Sequence, residues 1–148
     1  MLNASYLPSR IGGLATVCQV IVALSSTLAL AQDLASLDTP ALIKALQGAS
    51  VVAQNEDKAF LGKFENRFSS SSIFNNYGSY GSTYSSTSIW NTFGTFGSKF
   101  SSYSPNYTFR GDPPMIVKNG TVLGFISVRG DQKRAIHPDR IKGLADQF

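Results

Sequence analysis

The sequence predicts a small α+β or mainly-β domain. Its parts are a short N-terminal helix, two related β-hairpins in one small antiparallel sheet, and irregular aromatic-Gly-Ser repeat loops packed on that sheet. Three observations predict it. A capped amphipathic segment stands at 38–48. Two similar β-prone segments, 51–64 and 115–128, each break at a polar turn. Between them a 16-residue pattern recurs from Phe68 to Phe109.

The first element is a leader. One positive charge, Arg10, precedes an apolar stretch from Ile11 to Leu30. Ala29-Leu30-Ala31 then sets small residues at the two positions a signal peptidase accepts. Residues 1–31 are therefore read as a cleavable signal peptide, cut before Gln32. A membrane-spanning anchor wants about 20 firmly apolar residues, and Gln19, Ser25, Ser26 and Thr27 interrupt this run. Cys18 is the only cysteine and follows Val17, not the small residue that a lipoprotein signal needs. It leaves with the leader. A mature chain without cysteine has no disulfide framework, no thiolate metal site and no cysteine nucleophile. Residues 32–148 suffice for one domain and not for two ordinary ones.

Charge narrows the partners. Charged residues make up 15% of the chain and the formal net charge is +4, a sparse and mild balance. The basic residues scatter, apart from Arg129, Lys133, Arg134, Arg140 and Lys142, which read as a solvated tail. Nothing here points to nucleic acid, and no membrane association is expected after the leader is removed.

The remaining elements follow in order. In DTPALIKALQG, residues 38–48, Asp38 or Thr39 caps a helix, Pro40 suits its first turn, and Gly48 stops it. Leu42, Ile43 and Leu46 lie near one face. VVAQNEDKAFLGKF (51–64) and MIVKNGTVLGFISV (115–128) read as copies of one hairpin. Val52-Ala53-Gln54-Asn55 aligns with Ile116-Val117-Lys118-Asn119, and Ala59-Phe60-Leu61-Gly62 with Thr121-Val122-Leu123-Gly124. The second copy turns at Asn119-Gly120, a strong hairpin signal. Gly62 and Gly124, inside strands, mark a bulge or a close backbone approach. Isolated hairpins are marginal, so the two are expected to join in one antiparallel sheet.

The repeat starts at Phe68 (FSSSSIFNNYGSYGST), again at Tyr84 (YSSTSIWNTFGTFGSK), and at Phe100 in a shortened copy (FSSYSPNYTF). Asn75 and Asn91 suit Asx-turns, and the serines suit weaker equivalents. The glycines at 78, 81, 94 and 97 permit positive φ. The stretch borders on low-complexity sequence. Ile73, Ile89, Trp90 and the strict period favour ordered loops that tuck Ile73 with Phe74, and Ile89 with Trp90, inward. The third copy lacks an aromatic after Pro105 and is expected to pack differently. After the second hairpin, His137-Pro138-Asp139 reads as a turn, followed by one or two helical turns over 139–146.

No catalytic residue, cofactor or metal site is assigned. His137 is the only histidine and reads as a surface turn residue; no serine sits in a nucleophile-elbow context. A zinc site would need more His or Cys, and the repeats offer calcium no carboxylate. Glu65 and Asp112 would converge only if the hairpins brought them together. Arg129-Gly130-Asp131 spells an adhesion tripeptide too short to carry weight. Asn106-Tyr107-Thr108 and Asn119-Gly120-Thr121 fit the glycosylation pattern, relevant only in a eukaryotic secretory route.

Across most of 51–142 the chain resembles a family of small, uncharacterised bacterial exported proteins with SIxNxxGxxGS aromatic repeats. The residues that carry the resemblance are Ser72-Ile73-Phe74-Asn75 with Tyr77-Gly78-x-Tyr80-Gly81-Ser82, and Ser88-Ile89-Trp90-Asn91 with Phe93-Gly94-x-Phe96-Gly97-Ser98. Pro113-Pro114-Met115-Ile116-Val117 and Leu123-Gly124 complete it. The resemblance implies a bacterial source and one integral domain, and brings no activity.

The functional expectation is an exported, non-catalytic module, periplasmic or secreted, that binds an envelope or extracellular protein or glycan. Aromatic rings on turns stack on sugars and peptides at small entropic cost, so Tyr77, Tyr80, Tyr84, Phe93 and Phe96 are the candidate binding residues; the alternative is that these rings are simply core. One alternative is a self-assembling surface or matrix protein; another is an enzyme with an unrecognised site.

Overall fold

A computed structural model describes residues 33–148. The leader read over 1–31 and its cut before Gln32 lie outside the described residues. Asp33 caps a short 3₁₀ turn, Leu34–Ser36. Asp38 caps helix α1, Thr39–Leu46, its Oδ1 accepting the Ala41 N–H at 3.0 Å. Pro40 sits in the first turn, where no N–H is needed. Leu42 and Leu46 are buried, and Gly48 ends the helix at φ 74°. Lys118 donates from Nζ to the carbonyls of Lys44 and Ala45 (3.3 and 3.0 Å), placing a cation where the helix dipole is negative.

Five strands form one mixed sheet: β1 (Ser50–Val52), β2 (Phe60–Lys63), β3 (Met115–Lys118), β4 (Thr121–Ile126) and β5 (Ala135–Ile136), in the order β2-β1-β3-β4-β5. The domain is thus α+β. The pairs β1–β2, β1–β3 and β3–β4 are antiparallel, whereas β4–β5 is parallel. This corrects the expectation of a purely antiparallel sheet. The two residues of β5 lie in a stretch that reads as loop. They add to the sheet because the Phe125 N–H donates to the Arg134 carbonyl (3.0 Å) and the Ser127 N–H to the Ile136 carbonyl (3.1 Å). The edge of β4 is thereby covered, and Ile136 enters the core.

The glycines inside strands have steric reasons. Gly62 opposes Val51 and Gly124 opposes Ile116, each next to a register shift. A Cβ on Gly62, at φ 115°, would lie 2.7 Å from Ile73 Cγ2 and 2.8 Å from Tyr80 Cβ. One on Gly124 would lie 2.3 Å from the Arg134 carbonyl oxygen. The pairing equates Val51 with Ile116, one residue away from the sequence alignment. The first connection is longer, with Asn55 Oδ1 accepting from the Ala59 N–H inside it, so the turn absorbs the offset.

Helix α2 (Pro138–Lys142) and a 3₁₀ turn (Ala145–Gln147) end the chain. His137 caps α2 through Nδ1, which accepts from the Asp139 N–H at 3.2 Å. Arg140 reaches back to the carbonyls of Ala35 and Leu37, and Phe148 packs on Phe64 and Phe74. The core joins Leu42, Leu46, Val51, Leu61, Phe64, Ile116, Ile126 and Ile141 to Ile73 and Ile89 of the repeat. Among the described residues no helix is long and apolar enough to cross a membrane.

Candidate functional site

The repeat is built from triplets, not from irregular loops. The N–H of every third residue donates to the carbonyl three before it: Ser72 to Ser69, Asn75 to Ser72 and Gly78 to Asn75, then Ser88 to Ser85, Asn91 to Ser88 and Gly94 to Asn91, then Ser101 to Ser98 and Ser104 to Ser101. At the Ser and Asn corners other than Ser69, whose hydroxyl donates to Glu65, the side-chain oxygen accepts from the N–H two residues on. Ser72 serves Phe74 (3.1 Å), Asn75 serves Tyr77 (3.0 Å), Ser88 serves Trp90 (3.1 Å), Asn91 serves Phe93 (3.0 Å) and Ser98 serves Phe100 (3.2 Å). One small polar side chain per turn thus replaces the partners a sheet or helix would supply. Asn75 and Asn91 also donate from Nδ2 to the carbonyls of Ser69 and Ser85, both at 3.0 Å.

Five triplets and one added residue make the 16-residue coil. The addition is Gly81 in coil 1 (68–83) and Gly97 in coil 2 (84–99). At these places the N–H groups of Ser82 and Ser98 reach four residues back, to Gly78 and Gly94 (3.1 and 2.9 Å). A Cβ on either glycine would lie 2.3 Å from the carbonyl oxygen of Asn75 or Asn91; none of the four repeat glycines has the positive φ expected from sequence, so close backbone approach is what requires glycine at these two places.

Equivalent residues share surroundings. Ile73, Ile89 and, in coil 3 (100–109), Pro105 are fully buried, with Ser72, Ser88 and Ser104 buried beside them. Coil 1 bonds to the β2 edge: the Lys63 N–H donates to the Ser71 carbonyl (2.8 Å) and the Ile73 N–H to the Lys63 carbonyl (3.0 Å). Coil 3 bonds beyond β4, where the Val128 N–H donates to the Pro105 carbonyl (2.8 Å). Between coils, Trp90 Nε1 donates to the Ile73 carbonyl (2.6 Å), Thr87 Oγ1 to that of Ser79 (2.8 Å), and Asn106 Nδ2 to that of Gly97 (2.8 Å).

This register sorts the rings. Phe68, Tyr84 and Phe100 occupy one place in successive coils, and Tyr77, Phe93 and Phe109 another. All six are exposed, from 71% for Phe109 to 100% for Tyr77. Of the residues proposed from sequence, Tyr77, Tyr84 and Phe93 belong to these two rows. Tyr80 and Phe96 do not: Tyr80 is half-buried edge-on to Phe60 at 5.0 Å, and Phe96 packs against the core. Phe68, Phe100 and Phe109 were missed; spacing by 16 from Tyr84 and from Phe93 was the signal that could have found them.

In coil 1 the two rows wall a groove of about 400 Å³, bordered by Arg67, Phe68, Phe74, Asn75, Asn76 and Tyr77. Phe74 is buried and Phe68 and Tyr77 are exposed, so Phe74 forms the floor between two standing rings. Arg67 at its rim pairs with Asp146 at 2.8 Å. The repeat sets Tyr84, Trp90 and Phe93 at the same places in coil 2, where Lys142 Nζ lies 5.6 Å from the Trp90 ring centre. Lys99 is the only charged residue from Phe68 to Phe109.

The other sequence motifs lie elsewhere. Glu65 stands at the root of coil 1, its Oε2 accepting from Ser69 and Ser71 Oγ (both 2.6 Å). Those two hydroxyls hold its carboxyl below the usual range, with help from Lys63. Asp112 stands by coil 3, its N–H donating to the Ser102 carbonyl. Arg129 is turned onto Asp131 and the Phe109 carbonyl, and it holds the Asp131 carboxyl below the usual range. The Arg-Gly-Asp tripeptide is therefore closed on itself. Asn106 is half-buried with its amide engaged, whereas Asn119 is exposed in its turn.

Comparison with family models, with curated proteins and with solved structures found no match.

Proposed function

We propose that this chain is an exported, non-catalytic binding module of bacterial origin, periplasmic or secreted, that holds an envelope or extracellular partner or glycan on the aromatic face of its repeats. One observation carries the reading: six rings stand exposed at two fixed places of a regular ladder. Contiguous exposed apolar surface on a folded domain marks an interaction site. These rings contribute little to the fold, and the turns beneath them are held by their own side-chain bonds, so the face is preformed. The two hairpins, read as copies of one unit, serve as the frame that carries the ladder. The self-assembling alternative draws on the same rings. Edge-to-edge strand addition is hindered, because coil 1 occupies the β2 edge and β5 is only two residues long.

The test is retention of the purified protein on insoluble envelope and extracellular polysaccharide fractions and on protein extracts from the same source. Tyr77→Ala and Phe93→Ala should reduce retention several-fold while leaving the unfolding midpoint unchanged. Equal retention of wild type and both variants would remove the aromatic face from the reading.

A further inference from the structure

The geometry points to a neutral, linear, β-1,4-linked polysaccharide as the ligand of the groove between the two aromatic rows. This rests on the reading of that face as the binding surface, and it adds the ligand's chemistry.

Three features argue for it. First, the groove is walled by rings on both sides, Phe68 and Tyr77 in coil 1, with Phe74 beneath. A chain of equatorially linked pyranose rings is a flat ribbon that shows C–H surface on both faces. Such a ribbon meets an aromatic on either side, and ring faces suit C–H surface as they suit other apolar partners. Second, the walls repeat: Tyr84 and Phe93, then Phe100 and Phe109, follow at the same places of coils 2 and 3. A repeating wall suits a repeating ligand, and contacts made together on one chain reinforce one another. Third, the face carries little charge. Lys99 is the only ionic residue from Phe68 to Phe109, Arg67 at the rim is paired with Asp146, and Lys142, from outside the repeat, lies over the Trp90 ring. Beside Arg67 the polar residues that border the groove are the amides Asn75 and Asn76, and the exposed small residues of the repeat, such as Ser79, Thr83 and Thr92, carry hydroxyls. They donate to and accept from sugar hydroxyls without ionic selection. Among the described residues an anionic polymer would find only Lys99 and Lys142 without a carboxylate partner there, too few cations to offset the desolvation of a charge on every sugar.

The experiment is calorimetric titration of the purified full-length protein with cellohexaose and chitohexaose, with the matching disaccharides, and with polygalacturonate. The expected result is binding of at least one neutral hexasaccharide, at least about tenfold tighter than its disaccharide and unchanged between about 0.05 and 0.5 M salt. Tyr84→Ala and Phe93→Ala should each weaken it by about fivefold, with the denaturation midpoint unmoved. Binding of polygalacturonate alone, or affinity that collapses with salt, overturns the neutral-glycan assignment and leaves the aromatic face standing if both variants still weaken it. Failure of both hexasaccharides alongside ring-dependent retention on a protein fraction also overturns it. So does concentration-dependent self-association in sedimentation that Phe93→Ala abolishes, since a second copy then covers the rings. If hexasaccharide binding ignores both variants, the groove assignment and the underlying reading fail together.

Discussion

In Gly97→Ala the added methyl carbon would lie 2.3 Å from the Asn91 carbonyl oxygen and 2.7 Å from its carbon, where about 3.5 Å is comfortable. The offending atoms are backbone, so no side chain can swing aside. Overpacking by one methyl commonly costs about 1–3 kcal/mol. Here relief also disturbs Asn91, whose carbonyl accepts from Gly94, whose Oδ1 accepts from Phe93, and whose Nδ2 donates to Ser85. Losing even one of these adds about 1 kcal/mol. The expected loss is about 2–4 kcal/mol, or a melting temperature lower by roughly 8–16 °C for a domain of this size. Urea denaturation followed by the fluorescence of Trp90, the only tryptophan, measures it. The control is Gly130→Ala, where an added Cβ has nothing within 4 Å and no positive φ to resist it; its change should stay within about 0.5 kcal/mol. If Gly97→Ala unfolds at the wild-type midpoint with an unchanged slope, the triplet ladder and its glycine step are wrong.

Two further outcomes separate core from face and probe the root of the ladder. Ile89→Ala empties a fully buried position and should cost about 2–5 kcal/mol. Phe93→Ala, four residues on but solvent-exposed, should stay within about 0.5 kcal/mol by the same denaturation. Glu65 is ionised more easily in the folded than in the unfolded chain, because Ser69 and Ser71 donate to its carboxylate. Its contribution is therefore fully present above the unfolded value near 4.5 and is lost as pH falls through the lower folded value. Glu65→Gln should cost about 1 kcal/mol at neutral pH and flatten the decline of the urea midpoint on acidification below pH 4.5; an acid limb identical to wild type would refute the Ser69 and Ser71 bonds.

How much of this was legible in the sequence depends on how local each signal is. Helix α1 was, because Asp38, Pro40 and Gly48 each act within a turn. The α+β class was, from one helix pattern beside several short β-prone runs. Strand β5 was not: Ala135–Ile136 has no periodicity to read, and its parallel place is set by bonds to Phe125 and Ser127 from another part of the chain. The triplet register was obscured by the period itself, since 16 is not a multiple of three. The single added glycine shifts the phase once per coil, and it comes after Tyr80 and Phe96, so those rings share the triplet place of Tyr77 and Phe93 and differ only in lying one triplet on, where the coil turns back to the domain. The third copy was expected to diverge after Pro105. It does at the next residue, where Asn106 stands at the place of Phe74 and Trp90 and donates to the Gly97 carbonyl; Pro105 itself is as buried as Ile73 and Ile89, and as a residue without an N–H it loses nothing where only its carbonyl, bonded to Val128, is used.

The attachment of the first coil to the β2 edge and of the last coil beyond β4 turns the sheet into a ruler. Strands stack about 4.8 Å apart, so the number of strands between those two moorings fixes the span that the coils must cover. A chain that gained or lost one 16-residue unit would keep its turn chemistry and lose its fit to the frame. The number of rings displayed on the exposed face is thus decided by the width of the scaffold beneath, and redesigning the reach of that face would mean altering the sheet and the array together.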